Sequence, residues 1–152
     1  MDIVWASAVP VVIVLYIAYT YFRIKNAYSL AHITYTGSLE LGNKSGKKLR
    51  LLVVGDSIGT GVGASSFQKS VAGRIAAHFE KGHSIVFTNI SVNGSRMHNL
   101  VDRQAPAEKQ DLAVILITSN DVIRFTKFKD FENDTKKVLE RYSKLAERVI
   151  LI

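Results

Sequence analysis

The sequence contains no cysteine, no internal repeat and no low-complexity tract. Without cysteine, a disulfide scaffold, a thiol nucleophile and cysteine-bound zinc or iron–sulfur centres are all excluded. Hydrophobic residues make up 47% and charged residues 22% of the chain, which argues against general disorder. The length of 152 residues predicts at most one domain.

Charge is absent from residues 3–22, and 17 of those 20 residues are apolar or aromatic. About 20 such residues in a helix cross the hydrocarbon core of a bilayer. Aromatic side chains that suit the two membrane interfaces lie towards the ends of the run: Trp5, Tyr16, Tyr19 and Tyr21. We therefore predict an uncleaved transmembrane anchor in residues 1–25. A cleaved signal peptide, which is disfavoured by Asp2, and a buried soluble helix are the alternatives.

The formal net charge is +7, and most of it lies beside this apolar run. Residues 23–50 carry six basic and one acidic side chain, whereas residues 51–152 carry 14 basic and 11 acidic ones. Positive charge after the span predicts that the main domain is cytoplasmic. Residues 26–48 are interrupted by glycines and predict a juxtamembrane linker, whose lysines either contact anionic headgroups or only set the topology. The near-balanced remainder predicts no nucleic-acid partner.

Strand and helix patterns alternate from residue 49 to the end of the sequence. Short apolar runs predict strands at 49–54, 84–89, 112–118 and 149–152. Apolar positions at helical spacing predict one helix capped by Ser65 or Ser66 and another over residues 130–147. This alternation predicts a mostly parallel sheet with helices on both faces. Functional residues are then expected where the strands end.

Three motifs follow the first three predicted strands. They are Val54-Gly55-Asp56-Ser57, Asn93-Gly94-Ser95 and Asn120-Asp121. Their order and spacing across residues 49–152 resemble the SGNH hydrolase (GDSL esterase/lipase) superfamily. The resemblance implies an α/β fold of the flavodoxin-like three-layer α/β/α type with a parallel sheet. It also implies hydrolysis of a small-molecule ester by a serine, with no cofactor and no metal ion.

The resemblance assigns a role to one residue of each motif. Ser57 is expected to be the nucleophile, while the backbone N–H of Gly94 and the side-chain amide of Asn120 are expected to form the oxyanion hole. Ester hydrolysis requires a hydroxyl exposed on a tight turn and donors aimed at the tetrahedral intermediate. Asp56 is predicted to shape the turn through hydrogen bonds to nearby N–H groups. Each residue also has a purely structural alternative: Ser57 as a turn residue, Gly94 as a turn glycine and Asn120 as a structural asparagine or helix cap.

The sequence departs from the family pattern at several positions. Thr118 and Ser91 stand where the third and second motifs usually have a glycine. A serine esterase also needs a general base, usually a histidine, which the family supplies after the last strand. The four histidines all precede Asn120 and are His32, His78, His83 and His98. Only His98 lies near a motif as a substitute base. We therefore expect the chain to be the N-terminal portion of a longer hydrolase, inactive or incomplete alone.

These observations predict a single-pass membrane serine esterase that acts through an acyl-Ser57 intermediate and contacts the bilayer through residues 3–22. The alternative is a non-catalytic, membrane-tethered binding domain of the same fold. Residues 59–64 also fit the dinucleotide pattern Gly-x-Gly-x-x-Ala, but four residues separate them from the preceding strand. The oligomeric state is left open by the sequence.

Overall fold

The computed structural model describes residues 3–29, 34–43, 45–117 and 119–152. Predictions that involve Asp2, His32, Lys44 or Thr118 fall outside these residues. The chain divides into two compact units, Met1–His32 and Ile33–Ile152.

The first unit contains helix α1, Ile3–Ser29, with Pro10 inside it. From residue 11 to residue 24 its apolar side chains are exposed to solvent, including Leu15 at 63% and Tyr16 at 68%. Within the described parts of the chain, no helix is both long and apolar enough to cross a membrane. The transmembrane anchor predicted for residues 3–22 is therefore not supported.

The second unit is built on a mixed five-stranded sheet. Its strands are β1 Gly37–Gly42, β2 Lys47–Gly55, β3 His83–Asn89, β4 Gln110–Leu116 and β5 Ala146–Leu151. The spatial order is β1-β3-β2-β4-β5, and only β1 runs antiparallel to its neighbour. The α/β fold is thus confirmed, although the sheet is mixed rather than fully parallel.

Strand β1 corrects the prediction that residues 26–48 form a linker. Leu39 and Leu41 pack towards the core, while Ser38 and Glu40, which alternate with them along the strand, are exposed. This alternation is typical of an edge strand with one solvated face. Gly37 and Gly42, read in the sequence as breaks in periodicity, instead bound the strand and have positive φ angles of 100° and 79°. A glycine at each end does not prevent pairing between them.

Helices cover both faces of the sheet. After β2 they are α2 Ser57–Thr60, α3 Val71–Glu80, α4 Met97–Val101, α5 Ser119–Ile123 and α6 Phe128–Leu145, with a 3₁₀ turn at Phe67–Lys69. Fully buried Ala72 and Ala76 of α3 pack with Leu51 and Val53 on one face. On the other face, α4 and α6 pack against Leu52 and Val54. The three-layer arrangement leaves the carboxyl ends of the strands open between the helices that follow them.

The start of α3 differs from the predicted Ser65 or Ser66 cap. Ser70 is the N-cap, and its hydroxyl accepts a hydrogen bond from the N–H of Gly73 at 3.0 Å. Ser66 instead precedes the 3₁₀ turn and makes no side-chain cap bond. Ser65 and Ser66 are both residue types that commonly cap helices. The 3₁₀ turn that follows them, however, moves the start of the helix to Val71, which is 43% exposed.

Candidate active site

The three predicted junctions lie side by side at the carboxyl end of the parallel strands. The N–H of Val92 donates to the carbonyl of Gly55 at 3.0 Å, and the N–H of Asp56 donates to the carbonyl of Leu116 at 3.0 Å. These bonds extend the strand pairing beyond the strands themselves. The loops after β2, β3 and β4 are thereby held together at the edge where α/β sheets bind ligands.

The turn after β2 presents Ser57 to solvent. A side chain at Gly55 would place its Cβ 2.0 Å from the carbonyl oxygen of Leu116, so glycine is required there. Asp56 is fully buried, and its Oδ1 accepts a hydrogen bond from the N–H of Ile58 at 2.9 Å. Ser57 is the first residue of α2 and is partly exposed. The prediction that Asp56 shapes this turn is therefore confirmed.

Asn120 links all three junctions. Its Nδ2 donates to the carbonyl of Ser95 at 3.0 Å and to Oδ2 of Asp56 at 3.3 Å. Oδ2 of Asp56 also faces the hydroxyl of Ser119 at 3.4 Å. Because an amide nitrogen has two N–H groups, both are engaged in this state. Donation to a substrate oxyanion therefore requires release of one, and the longer bond to Asp56 is the weaker of the two.

Gly94 lies in the second junction with a φ of 75°, in the left-handed region that favours glycine. The turn around it is closed by a 3.2 Å bond from the N–H of Ser95 to the carbonyl of Val92. Among the described residues, no hydrogen-bond acceptor is found for the N–H of Gly94. Since Asn120 binds the carbonyl of the adjacent Ser95, the two predicted oxyanion donors belong to one hydrogen-bonded structure.

Several residues that support the site were missed by sequence reasoning. Asn89 is buried, and its Nδ2 donates to the carbonyls of Tyr35 at 2.6 Å and Gly59 at 2.7 Å. Its Oδ1 accepts from the N–H of Ser91 at 3.0 Å. Asn89 therefore ties α2 to the second junction. The sequence did carry one indication of this role. An asparagine at the end of a buried strand needs hydrogen-bond partners for its amide.

Two other supports come from further along the chain. Arg103 donates from Nη2 to the hydroxyl of Ser95 at 2.8 Å. Asp121 is buried, and its Oδ2 accepts from the N–H of Met97 at 2.8 Å. The first bond attaches the second junction to the segment just after α4, and the second attaches the third junction to the first residue of α4. Arg103 did not stand out in the sequence, because a single arginine carries no pattern, and Asp121 was named there only as part of the Asn120-Asp121 motif, without a supporting role.

No described histidine makes a hydrogen bond to Ser57. His98 is exposed on α4, and its Nε2 lies 3.0 Å from Nδ2 of Asn99. His83 begins β3, at the opposite end of the strands, and its ring contacts the carbonyl of Phe79 at 3.2 Å. The described residues also contain no group of three or more acidic or histidine side chains that could hold a metal ion. The general base is therefore not assigned within residues 45–117 and 119–152.

Comparison with known proteins agrees with this architecture. The profile of the GDSL-like Lipase/Acylhydrolase family matches residues 51–151, about two thirds of the chain. The chain therefore belongs to this family. A search of curated proteins found no match.

Solved structures share the fold at low sequence identity. Axe2, an acetylxylan esterase from Geobacillus stearothermophilus, is 22% identical over 72% of this chain and 61% of its own, with a TM-score of 0.51. AlinE4, an SGNH-hydrolase family esterase, is 19% identical over 71% and 60%, with a TM-score of 0.58. A lipolytic G-D-S-L family protein from Veillonella parvula is 18% identical over 68% and 57%, with a TM-score of 0.53. The chain thus spans about three fifths of the length of these structures.

Proposed function

We propose that the protein, in its full-length form, is a serine ester hydrolase in which Ser57 is the nucleophile. The observation that carries this proposal is the buried network joining the three junctions. Asp56 holds the turn that exposes Ser57, and Asn120 connects that turn to the loop of Gly94. Such a network fixes a nucleophile beside oxyanion donors before substrate arrives, which is how much of the rate enhancement in acyl transfer arises.

The reaction proceeds in two halves. Oγ of Ser57 attacks the ester carbonyl carbon, its proton passes to the general base, and the resulting oxyanion accepts hydrogen bonds from Gly94 N–H and Asn120 Nδ2. The intermediate then expels the alcohol, which takes the proton and leaves an acyl-Ser57 ester. Water hydrolyses this ester and releases the carboxylic acid and the free hydroxyl. The base completing this cycle is supplied by a residue not yet assigned.

The proposed substrates are small acyl esters. Ile58 follows Ser57 and is 43% exposed, and Val92 in the neighbouring junction is 49% exposed. Apolar side chains beside the nucleophile favour a hydrocarbon acyl group over a charged one. The test substrate is therefore p-nitrophenyl acetate, together with longer p-nitrophenyl esters to measure the preferred acyl length.

A fluorophosphonate probe and the ester assay test Ser57 directly. The full-length gene product should be labelled by the probe and should hydrolyse the ester, and Ser57→Ala should abolish both. Ser65→Ala is the matched control, since Ser65 is exposed in the following loop and should retain full activity. Equal hydrolysis by the unmodified protein and Ser57→Ala would refute the assignment.

The alternative function is a non-catalytic binding domain of the same fold. It is favoured by the engagement of both N–H groups of Asn120 and by the lack of a described histidine at Ser57. In that case the full-length protein would bind an ester or a carbohydrate without turnover. Absence of probe labelling together with saturable ligand binding would establish this alternative over the hydrolase.

We also propose that α1 attaches the domain to a membrane, with the second unit on the cytoplasmic side. The support is the apolar sequence of residues 3–22, the basic residues that follow it, and the exposure of apolar side chains such as Leu15. Protease protection in inside-out and right-side-out vesicles tests the orientation. Recovery of the protein in the aqueous phase after cell lysis would contradict attachment altogether.

A further inference from the structure

The segment that follows Asn120 and Asp121 combines exposed apolar and basic side chains. Residues 122–129, here called the basic–aromatic loop, comprise the last two residues of α5, the turn at residues 124–127 and the first two residues of α6, and they read Val-Ile-Arg-Phe-Thr-Lys-Phe-Lys. Its four apolar side chains are among the most exposed in the second unit: Val122 75%, Ile123 68%, Phe125 91% and Phe128 78%. It carries three positive charges and no negative one. Four exposed apolar side chains within eight residues, rather than scattered singly over the surface, are typical of an interaction site.

The backbone of the basic–aromatic loop is well held despite this exposure. The N–H of Arg124 donates to the carbonyl of Asn120 at 3.1 Å, and the N–H of Thr126 donates to the carbonyl of Asp121 at 2.9 Å. Asp121 is itself anchored through the N–H of Met97. The exposed side chains are therefore displayed from a fixed turn beside the proposed active site.

Phe125 has an unusual backbone conformation. Its φ of 52° lies in the left-handed region, and it is the one described non-glycine residue with a positive φ. A bulky residue pays a conformational cost there. Its ring is 91% exposed, so burial within the second unit does not offset that cost. A partner that covers the ring would offset this conformational cost.

The side-chain chemistry identifies the kind of partner. Lysine and arginine are attracted to anionic lipid headgroups, while phenylalanine and aliphatic residues enter the boundary between headgroups and acyl chains. A single-stranded nucleic acid would also use basic and aromatic groups, through stacking on the rings. Val122 and Ile123 have no flat face for stacking, and their exposure favours a lipid surface.

We propose that the basic–aromatic loop docks on an anionic phospholipid surface. In this arrangement Phe125, Phe128 and the two aliphatic side chains enter the interface, and the basic residues contact the headgroups. The docking needs neither the catalytic role of Ser57 nor attachment through α1. Because the loop follows Asn120 directly, docking places the carboxyl end of the sheet beside the lipid.

A single fluorescent label tests the docking in the full chain. Since the protein has no cysteine, Val122→Cys can be labelled uniquely with an environment-sensitive dye, and both phenylalanines are kept. Lys81→Cys, exposed just beyond the end of α3, provides the control position. Vesicles of phosphatidylcholine alone, and of phosphatidylcholine with about one third phosphatidylserine, are then added at low and high salt.

The expected result is a blue shift at position 122 with phosphatidylserine vesicles that fades at high salt, and none at position 81. Adding Lys127→Glu and Lys129→Glu should weaken the binding seen by this label at least tenfold. Arg74→Glu on α3 and Lys81→Glu just beyond its end, a matched change of charge, should leave the binding unchanged. If the variant with Lys127→Glu and Lys129→Glu fails to fold, the blue shift at position 122 in the protein that keeps both lysines, compared at low and high salt, tests the role of charge instead.

Five outcomes would overturn the proposal. Four of them are no shift at position 122 with anionic vesicles, an equal shift at both labelled positions, an equal loss from both charge variants, and a larger shift with an oligonucleotide than with lipid. A shift that grows with protein concentration without vesicles would identify a second copy of the chain as the partner, and would overturn it too.

Discussion

The two ends of the parallel strands use acidic side chains in different ways. At the amino end, Glu108 pairs with Arg50 at 3.0 Å while remaining 73% exposed, and Asp111 accepts from the backbone N–H of Arg50 at 2.6 Å. At the carboxyl end, Asp56 is fully buried and binds groups from two junctions. Helices begin at the carboxyl end, so their free N–H groups are available to a carboxylate there. The position along the strand, more than the residue type, therefore decides whether an acidic group builds a site.

The largest effect is expected from Asp56→Ala. The change leaves the N–H of Ile58, the hydroxyl of Ser119 and one N–H of Asn120 without their shared acceptor. We expect a loss of roughly 3 kcal/mol in the free energy of unfolding and loss of ester hydrolysis. Urea unfolding and the p-nitrophenyl acetate assay measure the two. Asp56→Asn, which keeps an acceptor for Ile58, should recover part of the stability. Wild-type stability in Asp56→Ala would refute the network.

Asn120→Ala separates catalysis from folding at the same end of the sheet. Loss of one oxyanion donor typically lowers the rate by about 10²–10³, and we expect a loss of kcat in that range. Stability should fall by roughly 1–2 kcal/mol, because the carbonyl of buried Ser95 loses its donor while Oδ2 of Asp56 keeps the hydroxyl of Ser119. Steady-state kinetics and urea unfolding provide the comparison. A change in stability with unaltered kcat would assign Asn120 a structural role only.

Asp111→Ala tests the amino end. Its carboxylate accepts one backbone N–H in a half-buried position, so its removal should cost about 1 kcal/mol. The ester hydrolysis rate should not change, since no residue of the three junctions contacts it. A fall in activity comparable to that of Asp56→Ala would mean that the two ends are coupled and would end the contrast drawn above.

The smallest effect concerns Tyr142 of α6, which is buried in the core on one face of the sheet. Burial raises the pKa of its hydroxyl above the usual 10.0, against the opposing charges of Arg141 and Arg103. The unfolded chain therefore releases this proton first, and the stabilising contribution, complete below pH 10, is lost as the pH rises further. Urea unfolding at about pH 9 and about pH 11 should show a smaller decrease for Tyr142→Phe than for the unmodified protein. An equal decrease would contradict this.

Much of the second unit could be predicted from the sequence because its strands are continuous apolar runs. The strands at 84–89 and 112–118 were placed within two residues of β3 and β4. The edge strand β1 was missed, since only two of its side chains face the core. The cap at Ser70 was missed because it depends on the path of the chain through the 3₁₀ turn.

The candidate site was predictable only in part. Ser57, Gly94 and Asn120 fall at strand ends, where the parallel topology brings them to one edge. Their catalytic roles stay predictions. The contacts made by Asn89 could not be predicted, because its partners Tyr35 and Gly59 are distant in the sequence and contribute only backbone carbonyls.

The antiparallel pairing of β1 with β3 has a consequence for synthesis of the chain. Sheet edges that remain unpaired can recruit strands from other molecules, and chains fold progressively from the N-terminus as they are made. β1 leaves the ribosome before β3, so β1 is already present and can pair with the outer edge of β3 as soon as β3 emerges. At the other side of the sheet β5 is made last, and the edge of β4 stays open until synthesis reaches it. Nascent chains are therefore most exposed to mispairing at β4, between the synthesis of β4 and that of β5.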